Sequence, residues 1–169
     1  MEARSLPAPP APASPGDVVD PALVRLLPGA EVACQKLKRA GFMLIVVSNQ
    51  GVVARGGATI EQVHQVNARL AELIGAGVID AFYFCPFHPQ GRVPEFTREH
   101  PWRKPGPGMI EAAARELELD LTESWLIGDA PRDTEAGIAA GIATHRCLQI
   151  GVHVPDILAA AETVLGARG

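Results

Sequence analysis

No apolar run in the 169 residues approaches the roughly 18 that a bilayer-crossing helix needs, so a membrane span is excluded. Arg4 near the amino end has no apolar stretch behind it, so no secretory signal is read there. Cysteine is scarce and odd in number (Cys34, Cys85 and Cys147), which argues against a disulfide framework and for a reducing, cytoplasmic setting. Positive charge is in deficit: the formal net charge is -4 and the pI about 5.7. A chain of that balance lacks the basic surface that nucleic-acid binding requires. No internal repeat is visible.

Apolar residues make up 47% of the chain and charged residues 20%, at a length that fits one globular domain. Residues 1–16 are mostly Ala, Pro and Ser. Pro7, Pro9, Pro10, Pro12 and Pro15 exclude both a helix and a central strand, so a flexible, partly polyproline segment is expected. Residues 17–169 are expected to form one domain, with 17–27 as a connector.

Strand and helix patterns then alternate. Pro28-Gly29 opens a helix to Ala40, with Lys36, Lys38 and Arg39 at the end the helix dipole favours for cations. Gly41 stops it. Phe42 to Val47 is a continuous apolar run, the mark of a strand buried on both faces, and its tip is Ser48-Asn49-Gln50-Gly51. Thr59 and Gln62 form a capping box for a helix to about Ile74. Ala81 to Phe84 reads as a strand, and a Pro-rich loop spans residues 85–106. A helix follows from Pro107 to Leu117 or Leu119. Trp125 to Gly128 is a strand delivering Asp129 to its tip; a helix runs from about Asp133 to Ala140. Thr144 to Ile150 is a last strand and Pro155 to Leu165 a last helix. The class is α/β with a Rossmann-like parallel sheet and helices on both faces.

Three strand tips carry the chemistry. Ser48 and Asn49 end one strand, Arg103-Lys104-Pro105 precedes a helix, and Asp129 and Asp133 follow another strand. A hydroxyl, backbone amides and a lysine can hold phosphate oxygens. A carboxylate pair at the same edge can hold Mg²⁺, which takes oxygen ligands and keeps several waters. Each part alone also fits a cap, a turn or a solvated face. The ordered set, each part at a strand–loop–helix junction, is much harder to obtain by chance.

That order resembles the haloacid dehalogenase superfamily of phosphohydrolases. Within it the chain looks like the branch of D-glycero-D-manno-heptose 1,7-bisphosphate 7-phosphatase and histidinol-phosphate phosphatase. The matching stretches are Val47-Ser48-Asn49-Gln50 with Ala54-Arg55-Gly56, Cys85 to Gly91, Arg103 to Met109, and Ile127-Gly128-Asp129 with Asp133. The resemblance implies a Mg²⁺-dependent phosphomonoesterase of small phosphorylated sugars. Heptose bisphosphate leads as substrate and histidinol phosphate is the alternative. By the same resemblance Ser48 and Asn49 would bind phosphate, and Lys104 would neutralise phosphate and nucleophile charge. Arg103 and Arg55 would face the substrate. Asp129 would ligate Mg²⁺, and Asp133 would be a second, more structural acid. A monomer or weak oligomer is expected.

The sequence departs from the family pattern in three places. The family's first motif, Asp-x-Asp-Gly-Thr at the end of the first central strand, supplies the attacking carboxylate and the general acid/base. By family spacing it would fall near Leu6 to Pro10, which reads Leu-Pro-Ala-Pro-Pro. Asp17 and Asp20 have the wrong separation and no apolar strand before them. The expected fold therefore lacks a central strand. Secondly, the branch holds a structural zinc through Cys-x-His and Cys-x-Cys. Here Phe87 replaces the histidine, and His100 and Trp102 stand at the two cysteine positions. Cys85, His88 and His100 offer three ligands where a structural site wants four, so a metal-free loop is expected. Thirdly, Ala130 stands where the heptose enzymes tend to carry a phosphate-binding lysine. These departures leave three readings: an enzyme whose first motif lies upstream, a non-catalytic phospholigand- or partner-binding module, and a split domain whose missing strand comes from another chain.

Overall fold

The computed structural model describes residues 17–167. The Pro-rich segment expected at residues 1–16 lies outside the described residues. Five helices and four short strands alternate: α1 (Ala30–Arg39), β1 (Ile45–Asn49), α2 (Ile60–Ile74), β2 (Ala81–Cys85), α3 (Gly108–Glu116), β3 (Leu126–Gly128), α4 (Pro131–Ala139), β4 (Cys147–Gln149) and α5 (Ile157–Gly166). The connector from Asp17 holds one 3₁₀ turn, Pro21–Leu23, capped by the Asp20 carboxylate on Ala22 N–H at 2.9 Å.

The strands form two separate parallel pairs, β1 with β2 and β3 with β4. Among the described residues no ladder joins β1 to β3. This matches the absent central strand, and it corrects one expectation. The run from Phe42 to Val47 is not a strand buried on both faces. The strand begins at Ile45, runs through Ser48 and Asn49, and is half-buried at every position. The reason is that β1 has a neighbour on one side only. The last strand is also shorter than expected: Thr144–Arg146 forms a 3₁₀ turn, and only Cys147–Gln149 pairs.

Helices cover both faces, as the alternation along the strands requires. Leu126 and Cys147 turn to one face, with Ile110 of α3 and Ala136 of α4; Val47 of β1 packs on this cluster. Ile127 and Leu148 turn to the other, where Ala33 and Leu37 of α1 meet Ala160, Ala161 and Val164 of α5. A third cluster, Val52, Val53 and Val63, joins the segment after β1 to α2. The two cores thus hold the half-sheets side by side without ladder hydrogen bonds between them. Each half carries one of the two tryptophans. Trp102 sits edge-on to Tyr83 of β2, while Trp125 leads into β3 beneath the Arg146 guanidinium.

The helix ends follow their capping residues. Thr59 Oγ1 accepts from Gln62 N–H at 3.1 Å, and Thr59 N–H donates to the Gln62 side chain at 2.9 Å, closing the expected capping box. α4 starts with Pro131 in its first turn, where a missing N–H costs nothing. Asp156 caps α5 by accepting from Ala159 N–H at 2.8 Å.

Candidate phosphate and metal site

The site lies at the carboxyl ends of the strands and is organised by Lys104. Its ammonium donates to the Val47 carbonyl of β1 at 2.8 Å and lies 2.8 Å from Asp133 Oδ1. Asp133 in turn accepts from Asp129 N–H (3.2 Å) and Ala130 N–H (3.0 Å) through Oδ2, fixing the turn that leaves β3. One lysine therefore ties the tips of both half-sheets together. Its side chain is only 11% exposed and that of Asp133 7%, so solvent screens the pair little.

The Lys104–Asp133 contact is an ion pair without good hydrogen-bond alignment. Oδ1 is buried and has no properly aligned hydrogen-bond donor among the described residues. Burial raises the Asp133 carboxyl pKa, but Lys104 and the Ala130 amide outweigh it and hold the group below its ordinary range. Gly128 makes this possible, because a Cβ there would collide with the Asp133 side chain.

Asn49 is placed differently from its expected role. Its side-chain amide is spent on the Lys104 backbone: Nδ2 donates to Lys104 O at 3.0 Å, and Lys104 N–H donates to Oδ1 at 2.9 Å. Asn49 positions the lysine instead of offering a free phosphate ligand. Ser48 stands at the tip of β1, its hydroxyl accepting from Gln50 Nε2 at a long 3.3 Å. That leaves the hydroxyl hydrogen for an anion.

A second cationic group gathers around Gly51. A Cβ there would meet Arg103 Nη1 at 3.1 Å, His88 Cδ2 at 3.1 Å and Arg55 Nη1 at 3.2 Å. Glycine leaves these three side chains room to converge. Arg103 also donates to Phe87 O at 3.3 Å, and burial followed by the nearby charges of Arg55 and Arg132 lowers its pKa. Burial and then Arg103 and Arg55 also depress His88. Its Nδ1 accepts from Gln90 N–H at 3.0 Å, so a neutral ring carries its proton on Nε2. Asp17 answers part of this charge, at 2.7 Å from Arg55 Nη2. Sequence reasoning set Asp17 aside as a nucleophile and assigned it nothing else. It also gave His88 to a zinc loop; no pattern in the sequence showed that His88 would lie beside the two arginines.

The possible zinc ligands do not converge. Among the described residues no three His, Cys, Asp or Glu side chains are grouped to hold a metal. Cys85 Sγ faces Phe87 O at 3.9 Å, and His100 stacks on Phe87 with ring centroids 4.2 Å apart. Phe87 thus fills the loop with an aromatic stack where the resemblance implies a ligand. An open apolar cleft of ≈ 480 Å³, lined by Tyr83, Phe84, Phe87 and Trp102 among others, lies beside this stack and includes neither Ser48, Lys104 nor Asp129.

Asp129 is exposed at the end of β3. That suits Mg²⁺, which takes one or two carboxylates and completes its shell with phosphate oxygens and water. Asp133 is already committed to Lys104 and two amides.

A family described as "HAD-hyrolase-like" matches residues 101–164. The D-glycero-beta-D-manno-heptose-1,7-bisphosphate 7-phosphatase of Yersinia pestis is 39% identical over 146 residues, covering 85% of this chain and 78% of that protein. This chain belongs to the heptose bisphosphate phosphatase branch of the haloacid dehalogenase superfamily. The enzyme of the same name from Escherichia coli K12 is 37% identical over 80% of this chain and 72% of its own length. Among solved structures, a HAD-like phosphatase of Mesorhizobium loti superposes with a TM-score of 0.73 at 34% identity, covering 86% of this chain and 78% of that one. The D,D-heptose 1,7-bisphosphate phosphatase of B. bronchiseptica, solved with magnesium and phosphate, gives 0.77 at 25% identity over 91% of each chain. The expected fold and branch are thus borne out. No helix among the described residues is long and apolar enough to cross a membrane.

Proposed function

We propose that this chain carries the phosphate- and Mg²⁺-binding half of a phosphomonoesterase site for a small phosphorylated sugar, D-glycero-D-manno-heptose 1,7-bisphosphate first among them. The observation that carries this is the convergence of Ser48, Lys104 and Asp129 at one sheet edge, with Lys104 bridging the two strands that present the others. Ser48 Oγ donates to a phosphate oxygen, and the Lys104 ammonium balances the phosphate charge. Arg103 and Arg55, held together at Gly51, suit a further anionic group of the substrate. When bound, Mg²⁺ adds positive charge against the phosphate, with Asp129 among its ligands. The sequence contains no Asp-x-Asp-Gly-Thr, so the attacking carboxylate and the acid/base must come from outside these 169 residues. A cytoplasmic setting fits the three free thiols, and a monomer or weak oligomer fits the small domain.

Titration calorimetry of the full chain with inorganic phosphate, with and without Mg²⁺, tests the site. Mg²⁺ should tighten phosphate binding about ten-fold, or ~1.4 kcal/mol, and Asp129→Asn should remove that gain. Equal binding with and without the metal, or an unchanged Asp129→Asn profile, would overturn the metal assignment. The heptose bisphosphate should bind more tightly than a sugar monophosphate. The reverse order would move the substrate elsewhere in the superfamily.

A further inference from the structure

In a polyproline II helix three residues make one turn, so every third side chain falls on the same edge. In that register Leu6, Pro9, Pro12 and Pro15 share one edge and Pro7 and Pro10 the next, while Ala8, Ala11 and Ser14 share the third. The pattern gives an apolar ridge, a back of small residues and no charge between Leu6 and Gly16. Such segments bind aromatic-lined grooves, because a chain that is already extended loses little entropy on docking.

The domain offers such a groove. The open cleft of ≈ 480 Å³ is lined by Ile60 of α2, Phe82, Tyr83 and Phe84 of β2, and Phe87 and Trp102 of the following loop, among others. Each of these six side chains is only half-buried. Their positions are fixed without a ligand. Tyr83 donates its hydroxyl hydrogen to Glu116 Oε2 at 2.8 Å. Trp102 stands edge-on to Tyr83 and to His100, at 6.2 and 6.0 Å between centroids, and Phe87 stacks on His100. The cleft also runs along a strand edge. Cys85 O accepts from Gln50 N–H, so the odd-numbered positions of β2 turn their backbone to β1, and Phe82 and Phe84 turn theirs outward. Among the described residues β2 pairs with β1 only. Proline carbonyls can accept from the outward amides, although proline cannot donate.

The chain enters the domain beside this cleft. Asp17 is tied to Arg55 at 2.7 Å, and Val19 packs on the Val52, Val53 and Val63 cluster. Ile60 and Phe84, two residues of the cleft wall, pack on the same cluster. Residues 13–16 separate Pro12 from Asp17, and four residues reach about 14 Å when extended. A tether this short holds a segment at an effective concentration in the millimolar range, roughly what a short, weak ligand needs.

We propose that residues 6–12 dock in this cleft of their own chain as a polyproline II helix, with Leu6, Pro9 and Pro12 against the rings of Phe84, Phe87 and Trp102. Docking covers an apolar strand edge that would otherwise invite another chain to pair with it.

The test uses the full chain with Trp125→Phe, which leaves Trp102 as its one tryptophan. A second protein adds Pro9→Gly and Pro12→Gly, which remove the ridge and touch nothing in the phosphate site. Acrylamide should quench Trp102 about two-fold less steeply in the first protein, because docking covers the indole. Hydrogen exchange read by NMR should be about five-fold slower there at the amides of Phe82 and Phe84. A third protein with Ala8→Ser and Ala11→Ser, changes on the opposite edge, should behave as the first. Equal quenching and equal exchange in the first two proteins would overturn the proposal. So would the same loss of protection in the third protein as in the second, since no ridge would then be read. Protection that disappears on dilution, with a doubled mass in light scattering at high concentration, would place the segment on a second copy and overturn docking within one chain. None of these readouts needs Mg²⁺ or phosphate, so their outcome is independent of the phosphatase reading.

Discussion

Asn49 shows how a single side chain sets the geometry of another. Its amide makes two hydrogen bonds to the Lys104 backbone, 55 residues away in sequence. Asn49→Ala removes both and leaves a half-buried N–H and C=O to find water. The expected cost is about 1–3 kcal/mol in urea denaturation, together with weaker phosphate binding. Asn49→Asp keeps the acceptor for Lys104 N–H but loses the donor, so it should fall between wild type and alanine. Asp133 makes a prediction about pH. Lys104 and the Ala130 amide hold its carboxyl below the roughly 3.9 of an unfolded aspartate. Between those two values the unfolded chain binds more protons than the folded one. The contribution is therefore complete above about pH 4 and is lost as the pH falls through the folded value. The stability gap between wild type and Asp133→Asn should narrow from pH 7 to pH 3; a constant gap would show that the carboxyl is not held down.

At the level of elements, the helices were more legible than the strands. Thr59 with Gln62 announces the start of α2, and the structure closes that box with both hydrogen bonds. Thr59→Ala should cost about 1 kcal/mol, read as a shift in thermal midpoint. The strands were harder to read because their limits depend on partners the sequence does not name. Phe42, Met43 and Leu44 have the apolar character of β1 but not its ladder. Likewise Thr144 to Arg146 form a turn because pairing with β3 begins only at Cys147. Gly128 is a tighter element constraint than its place in a Gly-Asp turn suggests. Gly128→Ala pushes a methyl into Asp133, so a loss of about 1–3 kcal/mol and a weakened Lys104 site are expected.

On the scale of the whole molecule, the sequence showed the parallel α/β class, the strand tips and the missing first motif. Those follow from patterns local to each segment. It did not show that Asn49 would be consumed, that His88 would join the arginines, or that Phe87 would stack on His100. These depend on which loops meet over the sheet edge. The separation into two half-sheets follows from the missing strand, but its form does not: helix packing and the Lys104 bridge keep the halves adjacent. The placement of Trp102 in one half and Trp125 in the other gives the molecule two optical reporters. Replacing either by phenylalanine leaves the fluorescence of one half. Without ladder bonds between the halves, the two single-tryptophan proteins should lose their signals at different urea concentrations. Their divergence would turn a gap in hydrogen bonding into a measured loss of cooperativity.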